Sequence, residues 1–164
     1  LGDAIMGILR DMEELRDVVA HLRQAGERIV LTNCRFDLLH VGHVRYLSRA
    51  KEYGTVLIVG INSGAAVRKL SGPNRPFTPC AERMEIIAAL KPVDYVIEFD
   101  AVTADELLRV VCPDVYVKGG DYRTKFLPEA ETAKAVGADI QLVDLEQGHS
   151  TTKIIQTIVE RCSQ

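Results

Sequence analysis

The chain has 164 residues, 47% apolar and 26% charged, which suits one globular domain with its own core and excludes a disordered or fibrous chain. Twenty basic residues against 23 acidic ones leave a net charge of −3, so bulk charge gives no support to nucleic-acid binding. Any anionic ligand has to be held by a local cluster, and nine aromatic residues with no Trp offer little to stack bases on. No run approaches the roughly eighteen apolar residues that cross a bilayer. Residues 1–11 mix acids into an apolar pattern, unlike a secretory leader. Cys34, Cys80, Cys112 and Cys162 stand 46, 32 and 50 positions apart with no CxxC pair. That spacing indicates neither a disulfide framework nor a zinc ribbon, and it suits a reducing cytoplasm.

In chain order, Met12, Leu15, Val18, Val19 and Leu22 have helical spacing and predict a helix over 11–22, with Gly26 as its stop. The β-branched run 28–33 (RIVLTN) reads as a buried strand. A polar loop follows, and a second helix is expected from Val41 to Tyr53, ended by Gly54. Residues 55–61 (TVLIVGI) read as a second strand, apolar almost throughout as central parallel strands are. Three prolines and a glycine make 71–79 a loop. Thr78 before Pro79 reads as the N-cap of a helix carrying Met84, Ile86, Ile87 and Leu90, which ends before Pro92. A third strand is expected over 94–99. Thr103 and Glu106 read as a capping box opening a helix to Val111. A fourth strand over 114–117, the tight loop 118–121 (KGGD), a helix over 128–136 stopped by Gly137 and a fifth strand over 139–143 follow. Ser150 caps a last helix running to Arg161.

Strands alternating with helices predict an α/β fold: a Rossmann-like, doubly wound, five-stranded parallel sheet with helices on both faces. The expected organisation is a single domain over 1–164, with a helical extension at 1–27 before a core at 28–162. In such sheets ligands bind beyond the carboxyl ends of the strands, so the loops there are the ones that carry chemistry.

The first of these loops holds His40 and His43 with Gly42 between them, at a helix start. Residues three apart share a helical face, free N–H groups at a helix start favour anions, and a glycine lets a phosphate approach the backbone. Two imidazoles there can donate to polyphosphate oxygens as charge builds in a transition state. An isolated HxxH equally suits two surface or core histidines. Cys34, Asp37, His40 and His43 also recur every three residues like metal ligands, although a loop-to-helix segment does not hold all four on one face.

The segment 32–47 (TNCRFDLLHVGHVRYL) resembles the HxGH signature of the nucleotidyltransferase superfamily. INS at 61–63, LSGPNRP at 70–76, AERMEIIAAL at 81–90, PVDYVI at 92–97, PDVYVKGGDY at 113–122 and GHSTTKII at 148–155 follow in order. Over 30–158 they resemble the D-glycero-β-D-manno-heptose 1-phosphate adenylyltransferases. The resemblance implies AMP transfer from ATP to the sugar phosphate with release of pyrophosphate, in the service of lipopolysaccharide or surface-glycan precursors, with Mg²⁺ brought on the triphosphate.

It implies catalytic roles for His40, His43, Lys69 and Arg83. Arg35, Phe36, Gly42, Lys118, Gly119, Asp121, Ser150, Thr151 and Thr152 join the histidines in the nucleotide site. Asp37, Asn62 and Arg68 fall at substrate positions. Read without the resemblance, Asp37 caps a turn, Arg68 and Lys69 lie on a solvated helix, Arg83 pairs with a neighbouring acid such as Glu82, the glycine pair is a turn and Ser150 is an ordinary N-cap. The family's subunits commonly pair, so a homodimer is expected, in the cytoplasm, with neither nucleic acid nor membrane as partner. At 164 residues the chain has no room for the heptose kinase often fused to this domain, so a separate kinase is expected upstream.

Some positions depart from the family. Cys34 stands for a glycine, Arg35 for a small residue, Gly64 for an aspartate and Ser71 for a lysine, while His149 sits where the family varies. Leu145 replaces an arginine of the glycerol 3-phosphate cytidylyltransferases and argues against that branch. A cytidylyltransferase for another phosphorylated alcohol and a non-catalytic nucleotide-binding domain remain the alternatives. Cys34 and Arg35 favour the second; the intact histidine pair opposes it.

Overall fold

A computed structural model describes residues 7–144 and 146–163. Residues 1–6 of the expected extension, and Leu145, lie outside the described residues. The strands are β1 (Ile8–Leu9), β2 (Ile29–Cys34), β3 (Val56–Asn62), β4 (Tyr95–Phe99), β5 (Val115–Gly119) and β6 (Asp139–Val143). The helices are α1 (Met12–Gln24), α2 (Val41–Lys51), α3 (Gly64–Ser71), α4 (Cys80–Ala88), α5 (Asp105–Val111), α6 (Ala130–Ala135) and α7 (Thr151–Cys162), with a 3₁₀ turn at Gly120–Arg123.

All strands run parallel in the order β1-β4-β3-β2-β5-β6. The chain winds outward from β2 through β3 to β4, then crosses to β5 on the other side of β2. The switch point therefore lies between β2 and β5, where the doubly wound rule puts a ligand. The expected five strands are present, and the sheet has a sixth. Ile8 and Leu9 pair with Val96 and Ile97 along the edge of β4. Two residues are too short to show the alternation that marks a strand, so only pairing reveals them.

Alternating strand residues build two apolar layers. Ile29, Leu31, Ile58 and Tyr116 face α1, α5 and α6, where they meet Leu15, Leu107 and Ala133. Val30, Leu57, Val59 and Val117 face α2 and α4, where they meet Leu47 and Ile87. By the same alternation Asn33 and Lys118 point to the first layer and Thr32 to the second.

Local readings needed three corrections. The capping box at Thr103 does not form: its hydroxyl donates to the Asp105 carboxylate, 2.6 Å away, and the helix is capped one residue later at Ala104, whose N–H meets Glu129 Oε1 at 3.1 Å. The helix expected to start after Thr78 has Pro79 as its N-cap, whose carbonyl accepts from the Arg83 N–H at 3.1 Å, while the Thr78 N–H goes to the Asp37 carboxylate. Residues 64–71 form α3, capped by Ser63 Oγ accepting from the Ala66 N–H at 3.0 Å, although Gly64 opens it and only part of its length is apolar.

Candidate functional site

One cavity of about 600 Å³ opens at the carboxyl ends of β2 and β5. The loop after β2 supplies Arg35, Phe36, Asp37, His40, Gly42 and His43 to its lining. Lys118, Gly119 and Asp121 follow from β5, Asn62 from β3, and Ser150, Thr151 and Thr152 from the start of α7. Most of the expected site thus converges on one space. Arg68 and Lys69 do not line it and are exposed on α3.

His40 is the N-cap of α2 and His43 sits one turn in, so the helical pitch stacks their rings with centroids 3.8 Å apart. His43 Nδ1 accepts from the His40 backbone N–H at 3.4 Å, which leaves the ring proton on Nε2. His40 Nδ1 is buried without a protein partner. Phe36 meets the His43 ring edge-on at 5.2 Å. Its own backbone is left-handed at φ 47°, a strained conformation for a phenylalanine, in the turn that aims this loop. Burial lowers His43 to about 4, helped by His40, and burial then His149 lower His40. Both imidazoles are therefore neutral near pH 7 and able to donate. A Cβ on Gly42 would come within 2.9 Å of the His40 ring, so the glycine makes room for the stack.

Lys118 is only 7% exposed. Its ammonium donates to Asn33 O at 3.5 Å and Asn33 Oδ1 at 3.3 Å, and it lies over the Tyr122 ring at 5.2 Å. Among the described residues no carboxylate pairs with it. A buried ammonium without a counter-charge is a ready partner for an incoming anion. Asn33 is itself held by the Tyr116 hydroxyl at 2.6 Å.

Three expected residues hold neighbouring loops. Asp37 Oδ1 accepts from the Phe77 and Thr78 N–H groups at 2.8 and 3.0 Å, and Oδ2 pairs with Arg75 at 3.3 Å. Its carboxylate organises the loop 72–79, closer to its turn-capping reading than to a substrate contact. Arg83 is 1% exposed and lies outside the cavity lining. It donates to the carbonyls of Thr78 (2.9 Å), Arg35 (2.6 Å) and Asn62 (2.9 Å), so it ties three loops together rather than meeting phosphates or pairing with Glu82. Asn62 spends its amide on Ala101 O at 2.9 Å.

Ser150 is the N-cap of α7, accepting from the Lys153 N–H at 3.1 Å, and it still lines the cavity. The first N–H groups of that helix have no intrahelical acceptor and suit an anion. Asp121 pairs with Lys125 at 3.5 Å. Of the departures from the family, Arg35 donates to Ser71 Oγ at 2.6 Å, so two unusual residues bridge the loop after β2 to the end of α3. The cavity also takes in Glu129, Thr103 and His149, to none of which the sequence analysis gave a ligand. Glu129 follows a proline at the start of a short helix, where a glutamate carries no signal of its own.

Residues 31–157 match the cytidylyltransferase-like family. The chain belongs to this family. The bifunctional protein HldE of Syntrophotalea carbinolica is 45% identical over 156 residues, 95% of this chain and 32% of that protein. HldE of Pectobacterium carotovorum is 41% identical over 163 residues, 99% of this chain and 34% of that one. The chain thus spans about a third of the length of these curated relatives. The fold is shared with a lipopolysaccharide core biosynthesis protein of Thermoplasma volcanium, at TM-score 0.63 and 24% identity over 76% of this chain and 100% of that one. It is shared too with a pantoate–β-alanine ligase of Francisella tularensis solved with βγ-ATP and β-alanine, at TM-score 0.63 and 17% identity over 97% and 80%. No helix among the described residues is long and apolar enough to cross a membrane.

Proposed function

We propose that this chain is a nucleotidyltransferase that moves AMP from ATP to D-glycero-β-D-manno-heptose 1-phosphate, releasing ADP-heptose and pyrophosphate for lipopolysaccharide or surface-glycan precursors. The observation that carries the reaction class is the stacked, neutral His40–His43 pair sharing one cavity with the unpaired Lys118 ammonium. The choice of heptose rests on the ordered motifs and on the identity to the bifunctional HldE proteins.

A sugar-phosphate oxygen attacks the α-phosphorus in line. The bond to the bridging oxygen breaks, and its electron pair leaves with pyrophosphate. No protein nucleophile is needed; the chain has to orient the reactants and stabilise charge. His40 and His43 donate to the triphosphate oxygens as negative charge builds. Lys118 and the first N–H groups of α7 hold phosphates in the ground state. Arg83 and Asp37 keep the loops around them in place.

Mg²⁺, carried on the triphosphate, would offset the charge of the departing pyrophosphate. Among the described residues no cluster of His, Cys, Asp and Glu has metal-holding geometry, and the Asp37 carboxylate is committed to its loop. A cation carried by substrate oxygens and water fits such a site. The proposed setting is the cytoplasm, with the unit acting as one domain in a paired assembly and a sugar kinase supplying the 1-phosphate.

The test is pyrophosphate release with ATP or CTP against heptose 1-phosphate, glycerol 3-phosphate and phosphoethanolamine. ATP with heptose 1-phosphate is the expected productive pair. Turnover with CTP and not ATP overturns the base assignment. No turnover with any pair leaves a nucleotide-binding domain without catalysis.

A further inference from the structure

The two buried charges that line the cavity from the same side of the sheet are Lys118 and Glu129. Lys118 has an anion to meet in the proposed reaction. Glu129 has none, and its position is unusual. The residue is 4% exposed, yet among the described residues no lysine, arginine or histidine pairs with it. One oxygen, Oε1, accepts from the Ala104 N–H at 3.1 Å, and among the described residues no protein donor bonds to the other. The hydroxyls nearby in the fold are spent elsewhere. Tyr116 donates to Asn33, and Thr103 and Thr132 both bond to Asp105. Glu129 is thus held by one oxygen at the cavity wall, with the rest of its carboxylate presented to whatever occupies the cavity.

We infer that Glu129 reads the hydroxyl groups of a polyhydroxylated ligand whose phosphate end lies towards Lys118. The assignment rests on the proposed transfer to a sugar phosphate. A carboxylate is an acceptor only, so it takes two O–H donors well and repels a phosphate placed beside it. The fixed separation of an ammonium and a carboxylate orients a molecule that is anionic at one end and neutral and hydroxyl-rich at the other. The cavity lining also includes Pro128, the sequence neighbour of Glu129, and Val102 and Thr103 next to the Ala104 amide that Glu129 holds. Such a wall accepts carbon-bound hydrogens between hydroxyls. Two sugars in the reaction have this chemistry, that of the acceptor and the ribose of the nucleotide, and the geometry favours no third class of ligand.

Calorimetric binding separates the two sugars without requiring turnover. The full chain and its Glu129→Gln and Glu129→Ala variants are titrated with a non-hydrolysable ATP analogue. Heptose 1-phosphate and glycerol 3-phosphate are then titrated in its presence. Glu129→Gln keeps an oxygen for the Ala104 N–H, so it guards against loss of fold, which the melting temperature checks. The expected result is heptose 1-phosphate binding weakened about tenfold or more, as loss of charge-assisted hydrogen bonds implies. Binding of the ATP analogue should stay within about twofold, and glycerol 3-phosphate, with fewer hydroxyls, should lose less. Weakened ATP-analogue binding instead assigns the hydroxyls to ribose and overturns the acceptor assignment. Unchanged binding of both ligands by a folded variant overturns the role of Glu129 altogether. If the parent chain binds the ATP analogue and no sugar phosphate, the heptose reading fails, and the ATP arm still decides whether Glu129 contacts a sugar.

Discussion

Two pairs of residues from the same few loops met opposite fates. His40 and His43 line the cavity with ring nitrogens uncommitted to ionic partners, and burial keeps them neutral. Asp37 Oδ1 and the Nε and Nη1 of Arg83 instead hold backbone groups of the loops at 35, 62 and 72–79, Asp37 Oδ2 faces Arg75, and Arg83 Nη2 is left without a hydrogen-bond partner among the described residues. A charged residue inside a phosphate-binding motif is therefore not automatically a phosphate ligand. Loops that must present bare N–H groups and imidazoles need something rigid behind them, and a buried guanidinium with several carbonyl acceptors supplies it.

Substitutions can break this division. His40→Ala should lower kcat by about a hundredfold or more, the usual cost of losing a transition-state donor. Its melting temperature should stay near that of the parent. An unchanged kcat, measured by pyrophosphate release, rejects the role given to the histidine. Arg83→Met keeps the volume and removes the donors, so it should cost about 3 kcal/mol of stability and lower the melting temperature by roughly 10 °C. Should Arg83→Met melt normally and lose only kcat, Arg83 would belong with the histidines after all.

Gly42→Ala sharpens the comparison, because the added Cβ lies 2.9 Å from the His40 ring and displaces it without altering charge. About a tenfold loss in kcat with little change in stability is expected for a misplaced donor. The smallest effect is one of pH. His43 sits at about 4 when folded, below its ordinary value of 6.5, so the unfolded chain binds the proton more readily. The stability this carries is present above the unfolded value and is lost as pH falls from 6.5 towards 4. Melting temperatures at neutral and acidic pH should diverge more for the parent than for His43→Phe; equal divergence would mean that other groups govern the acid limb.

The sheet was largely legible because each strand is a short apolar run bounded by turn residues, and the expected strand over 139–143 matches β6 residue for residue. Helix stops at Gly26 and Gly137 were legible too, since both adopt positive φ, at 73° and 81°. What failed was local polar bookkeeping. Thr103 looked like a cap, but its hydroxyl goes to Asp105 and the helix is capped at Ala104, whose amide meets Glu129, 25 positions away. Arg83 looked like a surface or phosphate-facing cation, because nothing in its helix announces that three carbonyls from other loops surround it.

Sequence by itself determined the parallel α/β order, the family and the loop that holds the histidine pair, because these depend on periodicity, breakers and a contiguous motif. Tertiary structure alone decided which charges are free. That Lys118 and Glu129 are buried without ion-pair partners among the described residues, while Asp37 and Arg83 are tied to neighbouring loops, follows from what the fold brings together across tens of residues. Whether a polar atom is satisfied is a property of its neighbours in space, which spacing along the chain does not encode.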